Sequence, residues 1–172
     1  MYLRLRTIGH VETDASQEEL RLRQSVISKI VIDQKFARAL QGLEDYSHVY
    51  VLFWLHETPR SNRDFRVHPR GREDIAKVGV FATRSPYRPN PIGLTLVKLV
   101  RRRGRVLTVK GLDAHDGTPV LDLKPRDTWE DVSRLRLPRW WRKLDRQSSS
   151  TRRTQSKSPR IHLASRPGSR TR

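Results

Sequence analysis

Gly79-Val80-Phe81-Ala82-Thr83-Arg84-Ser85-Pro86-Tyr87-Arg88-Pro89-Asn90-Pro91-Ile92-Gly93 is the most constrained stretch of this chain. Three prolines within six residues fix three φ angles. Each also pushes the residue before it (Ser85, Arg88, Asn90) toward extended geometry. Such a loop loses little entropy on folding and holds Arg84, Arg88 and Asn90 in set positions. A glycine at each end permits close backbone approach. Preorganised donors of this kind suit an anionic or carboxylate-bearing ligand. The same stiffness also suits a plain connection between two strands.

Working outward, apolar segments of strand length surround this loop. Residues 77–82 lead into it and residues 94–101 leave it. Residues 3–11, 26–32, 48–55, 106–112 and 120–123 complete the set. Tyr2-Leu3-Arg4-Leu5-Arg6 and Val26-Ile27-Ser28-Lys29-Ile30 alternate in part, as half-buried strands do. Val49-Tyr50-Val51-Leu52-Phe53-Trp54-Leu55 lacks polar alternation and predicts a central strand buried on both faces. Arg101-Arg102-Arg103-Gly104-Arg105 reads as a hairpin turn with a cationic tip. Residues 36–43 predict a short helix ended by Gly42. Many short strands with regular turns make the fold mainly β, a barrel or a sandwich. No strand runs through a glycine-rich turn into a helix, which excludes a nucleotide-binding βαβ unit.

The 172 residues suffice for one domain. Lys and Arg number 36 against 18 Asp and Glu, a net charge of +18. Seven of the 36 basic residues lie in the last 26, so 29 still face all 18 acids in residues 1–146. We place the folded domain at residues 1–146. Residues 147–172 are Ser/Arg-rich, cannot bury enough apolar surface to offset chain entropy, and are expected to be disordered. A basic body points to a polyanionic partner, nucleic acid before anionic membrane. With no cysteine, a disulfide scaffold, a cysteine zinc site, an iron–sulfur cluster and a thiol nucleophile are excluded. That fits a reducing cytoplasm, and no metal is expected. The longest apolar run has seven residues, far short of the ~20 that cross a bilayer. No signal-peptide pattern opens the chain. Residues 57–76, with Pro59, Pro69 and Gly71, form a long basic loop, and loops of that length are usually functional or disordered.

The chain resembles the TsaA-like proteins, also called the TrmO family, which are S-adenosylmethionine-dependent tRNA methyltransferases. The proline-rich stretch matches that family's signature. Three other stretches agree in order and spacing: Gly42-Leu43-Glu44-Asp45-Tyr46-Ser47-His48, then Trp54-Leu55-His56, then Leu112-Asp113-Ala114-His115-Asp116-Gly117-Thr118-Pro119-Val120-Leu121-Asp122-Leu123-Lys124-Pro125. The resemblance implies a small YaeB-like β-barrel that works as a homodimer, with S-adenosylmethionine near the subunit interface. It implies N6-methylation of threonylcarbamoyladenosine beside the anticodon of certain tRNAs. The family's cofactor positions fall on Leu22, Arg23, Gln24, His56, Glu57, Arg84, Leu94, Asp113, Ala114, His115 and Asp116. Three residues depart from the pattern. Leu22 stands where Pro is frequent, Asp45 where Gly is usual, and Arg126 where an aromatic is usual.

Such a transfer needs alignment above all, and well-oriented reactions reach effective molarities of roughly 10⁵ M or more. It also needs an acceptor for the amine proton. Candidate acceptors are Asp116, Asp122 and His48. Asp116 could equally close its own turn as an Asx residue. Asp122 alternates with its apolar neighbours and could pair with Lys124. His48 opens the apolar strand, where a satisfied structural role is just as natural. Arg84 could clamp a carboxylate in a bidentate manner or hold a phosphate. Tyr87 could stack on an extruded base or pack on Pro86 or Pro89.

Arg60, Arg63, Arg66, Arg70, Arg72, Arg88 and the run Arg101, Arg102, Arg103 read as RNA contacts, giving salt-dependent, sequence-independent affinity. Trp129, Trp140 and Trp141 mix indoles with cations, and capping of the barrel is favoured over stacking on RNA. Two other readings compete with the enzyme. One is a non-catalytic RNA-binding barrel; the other is a methyltransferase for a small molecule. An acidic turn in a basic body favours the enzyme.

Overall fold

Alternating burial along Gly9–Glu12, His48–Trp54, Val106–Lys110 and most of Ile92–Arg103 decides the architecture. In the computed structural model, which describes residues 3–22, 26–59, 64–132, 134–141 and 143–144, six antiparallel strands close into a barrel. In chain order its strands are β1 (Gly9–Glu12), β2 (Ile27–Ile32), β3 (His48–Trp54), β6 (Ile92–Arg103), β7 (Val106–Lys110) and β8 (Pro119–Pro125). Around the barrel they run β1-β2-β7-β6-β3-β8, and β1 pairs back onto β8 through Gly9 with Val120 and His10 with Pro119. A two-stranded hairpin, β4 (Arg66–Val67) with β5 (Val78–Gly79), stands apart from it in the sheet pairing. One short helix, α1 (Gln17–Leu22), precedes β2.

The barrel is filled by Val11, Ile30, Ile32, Val49, Val51, Phe53, Val97, Leu99, Leu107, Val109 and Val120. Burying a side chain of this kind contributes roughly 1.5–3 kcal/mol. Period-two geometry sends the intervening residues outward. β3 therefore differs from expectation. Val49, Val51 and Phe53 are buried, whereas Tyr50, Leu52 and Trp54 are only half-buried. Its unbroken apolar run serves two surfaces: the barrel interior and an outer face shared with β6. On that face Tyr50 lies opposite Leu96, and Leu52 opposite Leu94.

Other differences have local causes. Residues 3–8 are not a strand, because β1 starts at Gly9. Residues 77–82 split into the two residues of β5 and a 3₁₀ turn, Val80–Ala82. The predicted helix is a 3₁₀ helix, Gln34–Leu40, followed by Gly42 at φ 83°. β6 is longer than expected and carries an irregularity between Leu99 and Arg101 in its pairing with β7. Val100 and Arg101 are consequently both exposed. A second irregularity, between Leu52 and Phe53 opposite β8, leaves Leu121 without a partner in the register.

The chain divides into two compact units, Met1–Asp131 and Val132–Arg172. The first contains the barrel. In the second, the Trp140 and Trp141 rings lie 5.7 Å apart at 52°. Trp129, in the first unit, is 94% exposed and caps nothing. The expected tail, residues 147–172, lies outside the described residues. Among the described residues, no helix is long and apolar enough to cross a membrane.

Candidate functional site

The two barrel ends differ in chemistry. β3 ends at Trp54 where β6 begins, and the turn between β7 and β8 returns to the same end. Here Leu55 donates its N–H to the Pro91 carbonyl at 2.7 Å, tying the strand exit to the end of the proline loop. Arg84 reaches across that loop and donates from Nη2 to the Leu94 carbonyl. Next along β6, buried Thr95 donates its hydroxyl to Oδ1 of Asp113. Gly93 belongs to the same construction. A Cβ there would meet the Phe53 ring at 2.3 Å, so only glycine lets β6 cross this end.

The acidic turn is anchored on both sides. Asp116 accepts the Thr13 amide at 2.9 Å through Oδ1. Gly117 takes the left-handed conformation, φ 70°, and donates to the Val11 carbonyl at 2.8 Å. Asp116 thus bonds another segment's backbone rather than closing an Asx turn on its own. Glu57 lies between two imidazoles, with His115 Nδ1 at 3.4 Å and His56 Nε2 at 3.8 Å. Arg84, Leu94, Asp113, Ala114, His115, Asp116, His56 and Glu57 therefore form one linked constellation. Leu22 is exposed at the end of α1, while Arg23 and Gln24 lie outside the described residues.

Three carboxylates, two imidazoles and one guanidinium make this end acidic in a body of opposite sign. The set can accept hydrogen bonds from hydroxyl and ammonium groups, favour a nearby cation and hold one carboxylate. Among the described residues there is no His/Cys/Asp/Glu cluster able to hold a metal. Thr95 and Thr13 were missed in the sequence. A threonine in Leu94-Thr95-Leu96-Val97, in phase with inward Val97, was the available signal.

Other candidates lie elsewhere. His48 is at the opposite end of β3, with its Nδ1 2.9 Å from the Ser47 hydroxyl. Asp122 sits on the outer wall opposite Leu52 and pairs with Lys124 at 2.9 Å. The hydrogen bond to Asp122 raises the Lys124 ammonium above its ordinary range. Neither belongs to the constellation.

The cationic candidates divide in the same way. Arg88 donates to the Thr83 carbonyl at 2.9 Å and the Val80 carbonyl at 3.3 Å, and its guanidinium lies 5.6 Å from the Phe81 ring centroid. It braces the loop from within. Arg72 grips Asp74 with two hydrogen bonds of 2.7 and 2.6 Å. Arg102 grips both oxygens of Glu44 at 2.8 Å. The Glu44 carboxyl is held below the ordinary range, first by its own backbone amide and then by Arg102. Arg66, Arg70, Arg101 and Arg103 are exposed, and Tyr87 is 40% exposed. Arg60 and Arg63 lie outside the described residues.

Two cavities open elsewhere on the barrel. One of about 730 Å³ is lined by Phe36, Leu40, Tyr46, Asp122 and Leu123 among others. The other, about 390 Å³, lies against the tip of the β6–β7 hairpin. No residue of the constellation lines either.

The family model for the tRNA-methyltransferase O N-terminal domain matches residues 12–131. A "Probable S-adenosyl-L-methionine-binding protein" of Methanothermobacter thermautotrophicus is 43% identical over 139 residues, covering 78% of this chain and 96% of that protein. One of the same description from Archaeoglobus fulgidus is 42% identical over 88% of this chain, which spans 42% of its length. The mouse "tRNA (adenine(37)-N6)-methyltransferase" is 52% identical over 51% of this chain and 20% of its own length. A crystal structure of TrmO is similar with TM-score 0.62 and 32% identity, covering 79% of this chain and 61% of that one.

Proposed function

This chain belongs to the family of the tRNA-methyltransferase O N-terminal domain, and on that premise we propose that it is an S-adenosylmethionine-dependent tRNA methyltransferase. The proposed target is N6 of an adenosine, bearing a threonylcarbamoyl group, next to the anticodon. One observation carries the reading: Glu57, Asp113 and Asp116 share one barrel end with Arg84 in a protein of net charge +18.

When bound, the cofactor supplies an electrophilic methyl on a positively charged sulfur. Glu57 and Asp113 would favour that charge, and the carboxylates would accept from ribose hydroxyls and an ammonium. Arg84 is fixed by one amine on Leu94 and offers its remaining N–H groups to a carboxylate. Leu22, Arg23, Gln24, His56, Leu94, Ala114 and His115 complete the cofactor set. Alignment by this rigid frame provides most of the rate. The substrate amine also gives up a proton. Of the three proposed acceptors, Asp116 alone belongs to this end, and its second oxygen receives it. Arg60, Arg63, Arg66 and Arg70 hold backbone phosphates, and Tyr87 stacks on the extruded base.

The outer face of β3 and β6 is the proposed homodimer surface. Leu94, Leu96 and Val100 are 46%, 39% and 49% exposed there. Leu94 joins that face to the cofactor end, so a second copy would border the site.

Methylation of bulk tRNA with the labelled donor, followed by nucleoside mass spectrometry, tests the reading. Donor-dependent appearance of N6-methylated threonylcarbamoyladenosine is expected. No donor-induced thermal shift together with no methylated nucleoside would overturn it.

A further inference from the structure

The barrel end opposite the constellation carries a second polar site. Its cavity of about 390 Å³ lies between the 3₁₀ helix Gln34–Leu40 and the β6–β7 hairpin. Gln34, Arg38, Gln41, Arg102 and Arg105 line it, with Ala37 and Gly104, and Glu44 stands behind it on Arg102. Three arginines and two glutamines thus border a common space.

The hairpin arginines are held in place before any ligand arrives. Arg105 donates from Nη1 to the Ile32 carbonyl at 2.9 Å. Arg102 uses Nη1 on Glu44 and Nε on the Gly104 carbonyl at 3.0 Å. Each is fixed by part of its donor set and keeps the rest, so ordering it on binding costs little entropy. Arg38 is exposed and has no acidic partner among the described residues.

The adjoining sheet adds an independent observation. Lys110 is exposed at the end of β7, outside the proposed homodimer face. Arg101 and Arg103 extend the exposed cationic surface toward the hairpin tip. Along β6, Leu94 and Arg103 are separated by ~30 Å at about 3.3 Å per residue.

We propose that this cavity is a phosphate-recognition site for the RNA backbone, distinct from the methyl-transfer end. It rests on the tRNA substrate proposed above and adds where a second part of that RNA is gripped. Guanidinium forks match phosphate oxygens, and a track of exposed cations beside the cavity suits a repeating polyanion. The two ends then hold one RNA at points about a barrel length apart.

The test uses the full chain and a 17-nucleotide anticodon stem-loop RNA. Binding is measured by fluorescence anisotropy across a salt series for the wild type, Arg38→Glu and Arg103→Glu. Both positions are exposed surface, and donor-induced thermal shift in each variant verifies folding. Each substitution should weaken RNA binding about tenfold and lower the salt slope by about 0.7–0.9, with the donor shift retained. Wild-type affinity and slope in both variants would refute the site and leave the methyltransferase reading intact. Absence of a donor shift in the wild type would count against that reading, while Arg38-dependent RNA binding would still support this site. Equal loss of polyglutamate binding in Arg38→Glu would overturn the assignment to RNA and favour an acidic protein.

Discussion

Thr95 shows how much one hydroxyl decides. It occupies an inward position of β6, where its neighbours in phase are Val97 and Leu99, yet it is polar and only 5% exposed. Its hydroxyl is committed to Asp113. Thr95→Val keeps the shape and removes the donor. Losing a hydrogen bond to a charged group costs roughly 1.5–3 kcal/mol. A midpoint decrease in urea denaturation is expected, with weaker donor binding by titration calorimetry. Unchanged donor affinity would detach Thr95 from the cofactor site. Gly93→Ala acts by another route, because its added methyl meets the buried Phe53 ring. Overpacking a core costs roughly 1–3 kcal/mol, so the same denaturation experiment should report a loss in that range. Gly93 also delimits the proline loop, and its role there was readable only as close approach. The partner, Phe53, required the strand register.

At the scale of elements, α1 is set by a reciprocal cap. Ser16 donates its amide at 2.8 Å and its hydroxyl at 2.7 Å to Glu19. Those bonds, the hydroxyl's first, hold the Glu19 carboxyl below its ordinary range. A lowered folded value means the contribution is present above the unfolded value and fades as pH falls through the folded one. Ser16→Ala removes the hydroxyl and costs about 1 kcal/mol of helix stability. α1 leads directly into the proposed cofactor residues Leu22, Arg23 and Gln24, so a severalfold rise in donor Kd is expected, measured at pH 7. Equal donor affinity in the variant would show that this segment does not depend on the cap. Elements with a strong periodic or turn signal were legible: β2, β7, β8 and the hairpin at Gly104 fall close to expectation. Leu3 and Leu5 alternate as well as any strand, but alternation needs a partner, and β1 pairs only from Gly9. The linked constellation of Arg84, Asp113, His115, Glu57 and His56 was legible as a set only through family resemblance. Its contacts join segments far apart in sequence. Arg72, Arg88 and Arg102 read as RNA contacts, and their sequence neighbourhood does not reveal that Asp74, loop carbonyls and Glu44 lie within reach.

For the whole molecule, the outer face of the barrel carries the argument. Leu94, Leu96 and Val100 leave apolar surface uncovered on β6, beside half-buried Tyr50, Leu52 and Trp54 of β3. A single barrel in water gains nothing from that arrangement, whereas a two-fold interface buries the same patch from both copies at once. Leu96 is the suitable probe, since it lies within the face and outside the proposed cofactor set. Leu96→Glu places two buried charges in a symmetric interface for one substitution. Each unpaired charge costs several kcal/mol after relaxation, enough to dissociate a micromolar dimer. Sedimentation velocity should then report a dimer for the wild type and a monomer for the variant, with an unaltered monomer fold by circular dichroism. Because Leu94 links this face to the Arg84 end of the site, methyl transfer should fall with dissociation and recover partly at high protein concentration. A wild type that sediments as a monomer at tens of micromolar, with activity proportional to concentration throughout, would remove the second copy from the site.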